Sequence, residues 1–288
     1  MPRSREPRRR RARWCVSRDA GAMICVLGDA HLDVVVVPAG PLAAETDTTA
    51  DVRLSVGGQA ANVAAWTVAL GGRSRLIAAR GTDLAAQLVT AELAGRGIEV
   101  VGPEVSGRTG VVVSLSAGGR SRSMLTDRGA GPLLRPEHLS VSWLDGCSWL
   151  HLPGYSLVSE PIRDAAVAAV RAAAARSARL SIDLSSTAAI NSFGARNFAG
   201  LISSLRPDVV LGTAAEVALV GDLAGPETVV KLGPGGVRIG GRHYPAAATV
   251  AVDATGAGDA FAAGYLLGGV SLGLAAAARA VATMGAMP

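Results

Sequence analysis

The sequence predicts an α/β protein in which a mostly parallel sheet is covered by helices on both faces, with a small separate sheet beside it. Strand-like apolar runs alternate with Ala- and Leu-rich helical stretches, and two segments break that alternation by holding strands only. The first strand is expected at 24–27. After it come a helix at 60–70, a strand at 74–78, a helix at 83–94 and a strand at 98–101. The second half continues with a strand at 149–152, a helix at 161–175, a strand at 180–184, a helix at 197–205 and strands at 209–211 and 228–232. Ser159 is expected to cap the helix at 161–175, with Pro161 tolerated in its first turn. The strand-only segments are 33–37 with 52–56, and 110–116 with 121–126, the latter pair joined by a turn at Ala117-Gly118-Gly119-Arg120. Strands inserted in this way form a separate sheet that can act as a lid.

Composition narrows the partners. The formal charge of +5 invites a nucleic-acid or membrane partner. Its location argues otherwise. Arg3, Arg5, Arg8, Arg9, Arg10, Arg11, Arg13 and Arg18 lie in the first 22 residues against Glu6 and Asp19, a local balance of +6 that leaves −1 for the other 266 residues. Residues 1–22 have no apolar periodicity and are expected to be a disordered arm, with translation expected to start at Met23. Arg13, Arg18 and Asp19 interrupt any secretory core. The charge-free stretch 260–278 contains Gly264, Gly268, Gly269, Ser271 and Gly273 and reads as two buried helices rather than a membrane span. Neither nucleic acid nor membrane is therefore expected as a partner. Cys15, Cys25 and Cys147 are odd in number and show no CxxC spacing, which points to a reducing, cytoplasmic compartment. His31, His138, His151 and His243 have no metal-ligand spacing. Neither a G-x-S-x-G elbow nor a Walker A sequence occurs.

The chemistry concentrates in Val250-Ala251-Val252-Asp253-Ala254-Thr255-Gly256-Ala257-Gly258-Asp259-Ala260-Phe261. A short apolar strand is expected to run through two glycines into a helix whose first turn holds Asp259. Glycines let main chain approach a ligand closely, and free N–H groups at a helix start suit an anion such as phosphate. A carboxylate beside that anion is placed to take a proton from an attacking hydroxyl. An ordinary glycine-rich helix start with Asp as its cap would look the same.

The wider string separates the two readings. It resembles the second signature, D-T-x-G-A-G-D-x-F, of the ribokinase-like, phosphofructokinase-B type (PfkB) carbohydrate kinases, and is intact apart from Ala254. Gly57-Gly58-Gln59-Ala60-Ala61-Asn62-Val63-Ala64, followed by Leu70-Gly71, resembles the first signature of the same family. Gly28 to Asp33, Gly81-Thr82-Asp83 and Lys231 to Gly236 extend the resemblance over nearly everything after residue 23. It implies a three-layer α/β/α sandwich at 23–288, with lid strands from about 33–56 and 109–128. The activity implied is transfer of the γ-phosphate of ATP to a primary hydroxyl of a small ribose- or fructose-like sugar.

Carried over residue by residue, the resemblance makes Asp259 the catalytic base and Gly256, Ala257 and Gly258 the anion hole. Asp33 and Asn62 would hold sugar hydroxyls, while Gly57 and Gly58 let the sugar approach main chain. Lys231, Gly233 and Gly236 fall on the nucleotide side. Glu216 would serve Mg²⁺ through water, and Asp253 and Thr255 mark a monovalent cation site, K⁺ in many members. Thr213 stands where the family carries an amide, and the final residues after 282 look short of the usual last helix and tail. Those departures keep a catalytically weakened sugar-binding or sensory homologue in view. A nucleoside kinase of adenosine or pseudouridine type is the other alternative, with Trp66, Tyr155 and Phe261 as the aromatics able to stack on a base. Arg128 could reach a substrate or simply turn the chain out of the lid, and Asp183 stands at a strand end where ligands bind or loops are capped. The exposed lid edge offers a homodimer contact.

Overall fold

The computed structural model describes residues 21–116 and 122–288. Most of the expected basic arm and the expected turn at Ala117–Arg120 lie outside the described residues. In chain order the elements are β1 (Met23–Leu27), β2 (His31–Pro38), β3 (Ala50–Gly57), α1 (Gln59–Ala69), β4 (Arg73–Ile77), α2 (Leu84–Gly95), β5 (Glu99–Val101), β6 (Thr109–Ser116) and β7 (Arg122–Gly129). They continue with β8 (Cys147–Pro153), α3 (Ile162–Ala174), β9 (Arg179–Asp183), α4 (Thr187–Phe193), α5 (Ala195–Leu205), β10 (Val209–Thr213) and α6 (Ala214–Val220). The last are β11 (Glu227–Lys231), β12 (Val237–Ile239), β13 (Arg242–Tyr244) and α7 (Ala257–Val281).

The large sheet runs β13-β12-β11-β10-β9-β8-β1-β4-β5. Its strands are parallel from β11 to β5, and the β12 and β13 edge is antiparallel. Alternate residues of each strand face opposite layers, so Ile24 and Val26 pack with α1, α2 and α7, while Cys25 and Leu27 pack with α3, α4 and α5. Each such aliphatic side chain contributes about 1.5–3 kcal/mol when fully buried. The parallel strands are near-continuous apolar runs because both their faces are covered.

Two local features differ from expectation. Residues 250–252 are irregular instead of a strand, and Val250 and Val252 are exposed. The Val252 and Asp253 N–H groups both donate to the Val281 carbonyl at the end of α7, which replaces a sheet ladder as their acceptor. Ser159 does not cap α3. Pro161 occupies that position, and the Ser159 hydroxyl accepts from Arg128 instead. The expected break in the apolar C-terminal stretch is present: α7 is kinked where Gly268 and Gly269 leave helical geometry, Gly269 at φ +75°. By length and composition α7 could cross a membrane, yet half of its most apolar window is buried inside the fold.

The small sheet has the order β3-β2-β6-β7, with β2 and β6 parallel and the outer pairs antiparallel. One arginine ties its last strand to the body. Arg128 donates from Nε and Nη2 to the two carboxylate oxygens of Asp29 at 2.6 and 3.0 Å, and from Nη1 to Ser159 at 2.8 Å. A bidentate guanidinium–carboxylate pair has a fixed geometry, so it sets the angle at which the small sheet leaves the body. Arg128 is thus a strut, and its donors are spent inside the protein.

Removing that strut leaves a largely buried carboxylate without its partner. Arg128→Ala should cost about 2–4 kcal/mol, read as a fall of several degrees in the thermal midpoint, and Asp29→Asn should cost less because an amide keeps a neutral partner for the guanidinium. An unchanged midpoint in Arg128→Ala would show that the strut carries no stability.

Candidate active site

The C-terminal ends of β9, β10 and β11 and the starts of α1 and α7 converge on one cleft, the position at which open parallel sheets bind ligands. Each helix begins with a glycine in a conformation other residues avoid, Gly58 at φ +102° and Gly256 at φ +75°. Asn62, in the first turn of α1, donates from Nδ2 to Asp259 Oδ2 at 2.8 Å, so the two helix starts are joined by the expected catalytic carboxylate. Burial is the largest influence on Asp259 and pushes its pKa up to about 7, with the charge of Asp183 adding to it. The Asn62 and Gln59 side chains and the charge of Lys231 pull the other way.

Lys231, at the end of β11, donates to Asp183 Oδ2 at 2.6 Å, and Asp183 is only 1% exposed. Burial alone would lower the lysine pKa; the charge of Asp183 and its hydrogen bond outweigh this and hold it above its ordinary value, helped by Glu216 and Asp259. The ammonium lies against the anion-hole loop, 3.4 Å from where a side chain on Gly258 would begin. In that loop Ala257 turns its N–H back to the Ala254 carbonyl at 3.3 Å. The first-turn N–H groups of Gly258 and Asp259 have no acceptor within the helix, the condition under which a helix start can receive an anion. Gly256 has another reason to be glycine, since a Cβ there would stand 2.6 Å from main-chain atoms of Ala286. The final residues are folded back beneath this loop, with Gly285 N–H on Asp253 and the Ala286 carbonyl on the Trp66 indole at 2.9 Å.

At the other end of the cleft, the space a side chain on Gly57 would need is filled by the Asp33 carboxylate, and that on Gly58 by the Asp29 carbonyl. Each of these glycines makes room for the protein's own atoms. The effect is to press Asp33 onto the turn that launches α1. Asp33 Oδ1 and Asn62 Oδ1 are both buried acceptors without a hydrogen-bond donor, although His31 Nε2 lies 3.0 Å from the former without alignment. Orphan acceptors cost free energy unless something donates to them.

Other expected site residues divide. Glu216 accepts from the Thr213 N–H at 2.7 Å while Thr213 accepts from the Glu216 N–H at 3.3 Å, a reciprocal cap on α6. The unusual Thr213 is therefore a good helix cap, and one Glu216 oxygen is spoken for by main chain. Gly233 borders open space, whereas Gly236 is needed because the main chain of Tyr244 and Ala246 crosses it. Asp253 accepts from the Thr255 N–H and hydroxyl at 3.0 and 2.7 Å and from Gly285. These donors fold the loop around the Asp253 carboxylate. Among the described residues no three His, Cys, Asp or Glu side chains gather as a metal cluster. Of the three aromatics, Trp66 and Phe261 are core residues, and Tyr155 is the exposed one, its ring beneath Arg128. Sequence reasoning missed Gln59 and Ser185, which bond to each other at 2.5 Å beside Asp259. A polar residue between Gly58 and the apolar face of α1 was the available signal for the first, and nothing marked the second.

The sequence profile described as "pfkB family carbohydrate kinase" matches residues 22–287, and the chain belongs to this family. The chain is 29% identical over 280 residues to fructokinase from Escherichia coli, covering 88% of this chain and 86% of that protein. The structure of adenosine kinase from Sinorhizobium meliloti superposes with a TM-score of 0.82 at 22% identity, covering 93% of this chain and 96% of that one. A putative ribokinase II from E. coli, solved with ATP and Mg²⁺, superposes with a TM-score of 0.78 at 21% identity over 92% of this chain and 94% of that one. The fold is ribokinase-like and the protein is a sugar kinase, a phosphotransferase.

A methyl group on Gly57 must displace the Asp33 carboxylate. Gly57→Ala should raise the sugar KM at least about tenfold with a smaller change in that for nucleotide, since only one end of the cleft is disturbed. Steady-state kinetics with each substrate varied checks this, and equal effects on both constants would contradict it.

Proposed function

We propose that the enzyme transfers the γ-phosphate of ATP to a primary hydroxyl of a small ribose- or fructose-like sugar, with Asp259 as general base. One observation supports this above the rest: the base, two orphan acceptors for hydroxyls and a lysine-flanked anion site occur in one cleft. Asp33 and Asn62 accept from sugar hydroxyls and orient the acceptor oxygen. Asp259, with a pKa near 7, takes the proton of that oxygen as it attacks phosphorus in line. The N–H groups of Gly258 and Asp259, with the Lys231 ammonium, meet the charge that develops on the phosphoryl oxygens. Lys231 and Gly233 border the nucleotide side, and the role expected of Gly236 there is indirect, through the shape of the loop.

Mg²⁺ fits the residues present, because such ions keep several waters and need only one or two carboxylates besides the phosphates. The second oxygen of Glu216 is the group that would hold it through water, and the ion would neutralise charge between the phosphates. A monovalent cation, K⁺ in many members of the family, held beside Asp253 and Thr255 belongs to the same proposal, and its charge would help order the neighbouring loop. Thr213 loses its force as a sign of weakened catalysis, because its hydroxyl caps α6. Tyr155 is the observation favouring a nucleoside acceptor, being the one exposed aromatic of the three near the lid strut.

The functional unit is the domain at 23–288, with the small sheet as its lid. A homodimer through the lid is supported by register. Leu54, Val34, Val113 and Leu125 stand in one row across the four strands, with Leu54 and Leu125 about 60% exposed. The buried thiols of Cys25 and Cys147 suit a reducing cytoplasm. Leu54→Glu should shift sedimentation toward monomer; no shift, or a wild type already monomeric, would exclude the lid contact.

Asp259→Asn should lower kcat by about 10²- to 10⁴-fold while calorimetric sugar affinity stays within about threefold. A base must be deprotonated to act, so wild-type kcat/KM should fall about tenfold per pH unit below roughly 7. Turnover near wild type in Asp259→Asn would remove the residue from the chemistry.

A further inference from the structure

We propose that Trp66 is a positioning residue for the phosphate end of the site: its indole N–H holds residues 285–286 against the loop at 253–256, so that α1 fixes the floor of the anion hole as well as the base. The proposal rests on the reading of that loop as the place where the transferred phosphate sits, and adds what keeps the loop in shape.

The loop is braced from below at two points. At its start, Gly285 donates its N–H to Asp253 Oδ2 at 3.0 Å. At its end, main-chain atoms of Ala286 lie 2.6 Å from the point where a side chain on Gly256 would begin. Gly256 stands at φ +75°, and its carbonyl accepts the Ala260 N–H at 2.9 Å, the bond that opens α7. A shift of Ala286 therefore reaches the first turn of α7 directly, and with it the direction of the Gly258 and Asp259 N–H groups.

Trp66 is what grips Ala286. Its Nε1 donates to the Ala286 carbonyl at 2.9 Å, in a buried bond between residues 220 positions apart. The side chain is 2% exposed, and an indole has one donor and no acceptor, so without this carbonyl the N–H would be buried unpaired. The Arg279 guanidinium lies 5.4 Å from the centre of the same ring, which ties the indole to the last turn of α7 as well. Beyond Ala286, Met287 is buried in the core cluster that holds Trp66, and the Pro288 carbonyl accepts from Arg96 at 2.8 Å.

Trp66 follows Asn62 by four residues, so the two project from one face of α1, about 6 Å apart along its axis. Asn62 holds Asp259, and Trp66 holds the residue under Gly256. One rigid element thus sets the distance between proton acceptor and phosphate site. Rate is steep in that distance, since a misplacement of about 1 Å can cost on the order of 100-fold. Asp33, on β2, is outside this linkage.

Trp66→Phe keeps an aromatic ring in the core and deletes the donor. Ala286→Val leaves the main-chain carbonyl for Trp66 and adds bulk under Gly256. In each, kcat should fall at least about fivefold, while calorimetric affinity for ribose or fructose, whichever the wild type turns over, stays within about threefold. Trp66 acting only as core packing would lower the thermal midpoint of Trp66→Phe and leave kcat, measured well below that midpoint, near wild type. A smaller fall in kcat in either folded variant, or a greater loss of sugar affinity, overturns the proposal. If Trp66→Phe does not fold, Ala286→Val alone decides by the same limits. Asp259→Asn in the same assay keeps the two readings apart. Turnover there removes the reading of the site and this proposal with it, whereas an inactive Asp259→Asn beside fully active Trp66 and Ala286 variants removes the positioning role alone.

Discussion

The 2.8 Å hydrogen bond from Asn62 to Asp259 joins the first turn of α1 to the first turn of α7 across 197 residues of chain, and the rest of the molecule can be understood as what makes that contact possible. Two helix starts carry partial positive charge and unpaired N–H groups, so bringing them together favours an anion between them. Placing a carboxylate there as well means that the same field would act on a bound phosphate and on the proposed base. The parallel sheet supplies the floor, with Asp183 and Lys231 rising from strand ends between the two helices. Glycines at 58 and 256 let each helix begin at the required angle, and neither position accepts a side chain without striking main chain or its neighbours.

Much of this was legible from sequence. The alternation of apolar runs located β1, β4, β8, β9, β10 and β11 because strands covered on both faces must be apolar throughout. The string ending in Gly256-Ala257-Gly258-Asp259 announced its chemistry because close approach, an anion and a proton acceptor each restrict residue choice. Less legible were interactions set by distance in space. Gly57 is glycine on account of Asp33, 24 positions earlier, a relation that exists only once β2 and β3 pair. Ser185 carries no signal in its own segment, since what sets it apart is a bond to Gln59, 126 positions away, and a backbone φ of +68°. Residues 250–252 mislead in the opposite sense. Their apolar character suits a strand, but the Val252 N–H is taken by the end of α7 instead of a strand partner.

The replacement at 213 shows how a departure from a family pattern can be read too strongly. Seen alone, Thr in place of an amide suggests a lost ligand. In the fold it forms a reciprocal cap with Glu216, which orders the start of α6 and fixes the carboxylate that faces the Lys231 side of the cleft. An amide can cap a helix as well, so the local architecture tolerates either residue, and what differs is the number of groups left to hold water. Arg128 illustrates the converse. A cation leaving the lid can pass for a substrate ligand until its guanidinium is seen to bond Asp29 and Ser159.

The anion-hole loop rests on the last residues of the chain, with Ala286 packed under Gly256 and Gly285 bonded to Asp253. Ala286 stands where a side chain on Gly256 would begin, so a larger residue at 286 would press on the start of α7 from below, and the shape of the loop is set as much by residues thirty positions further along as by its own glycines.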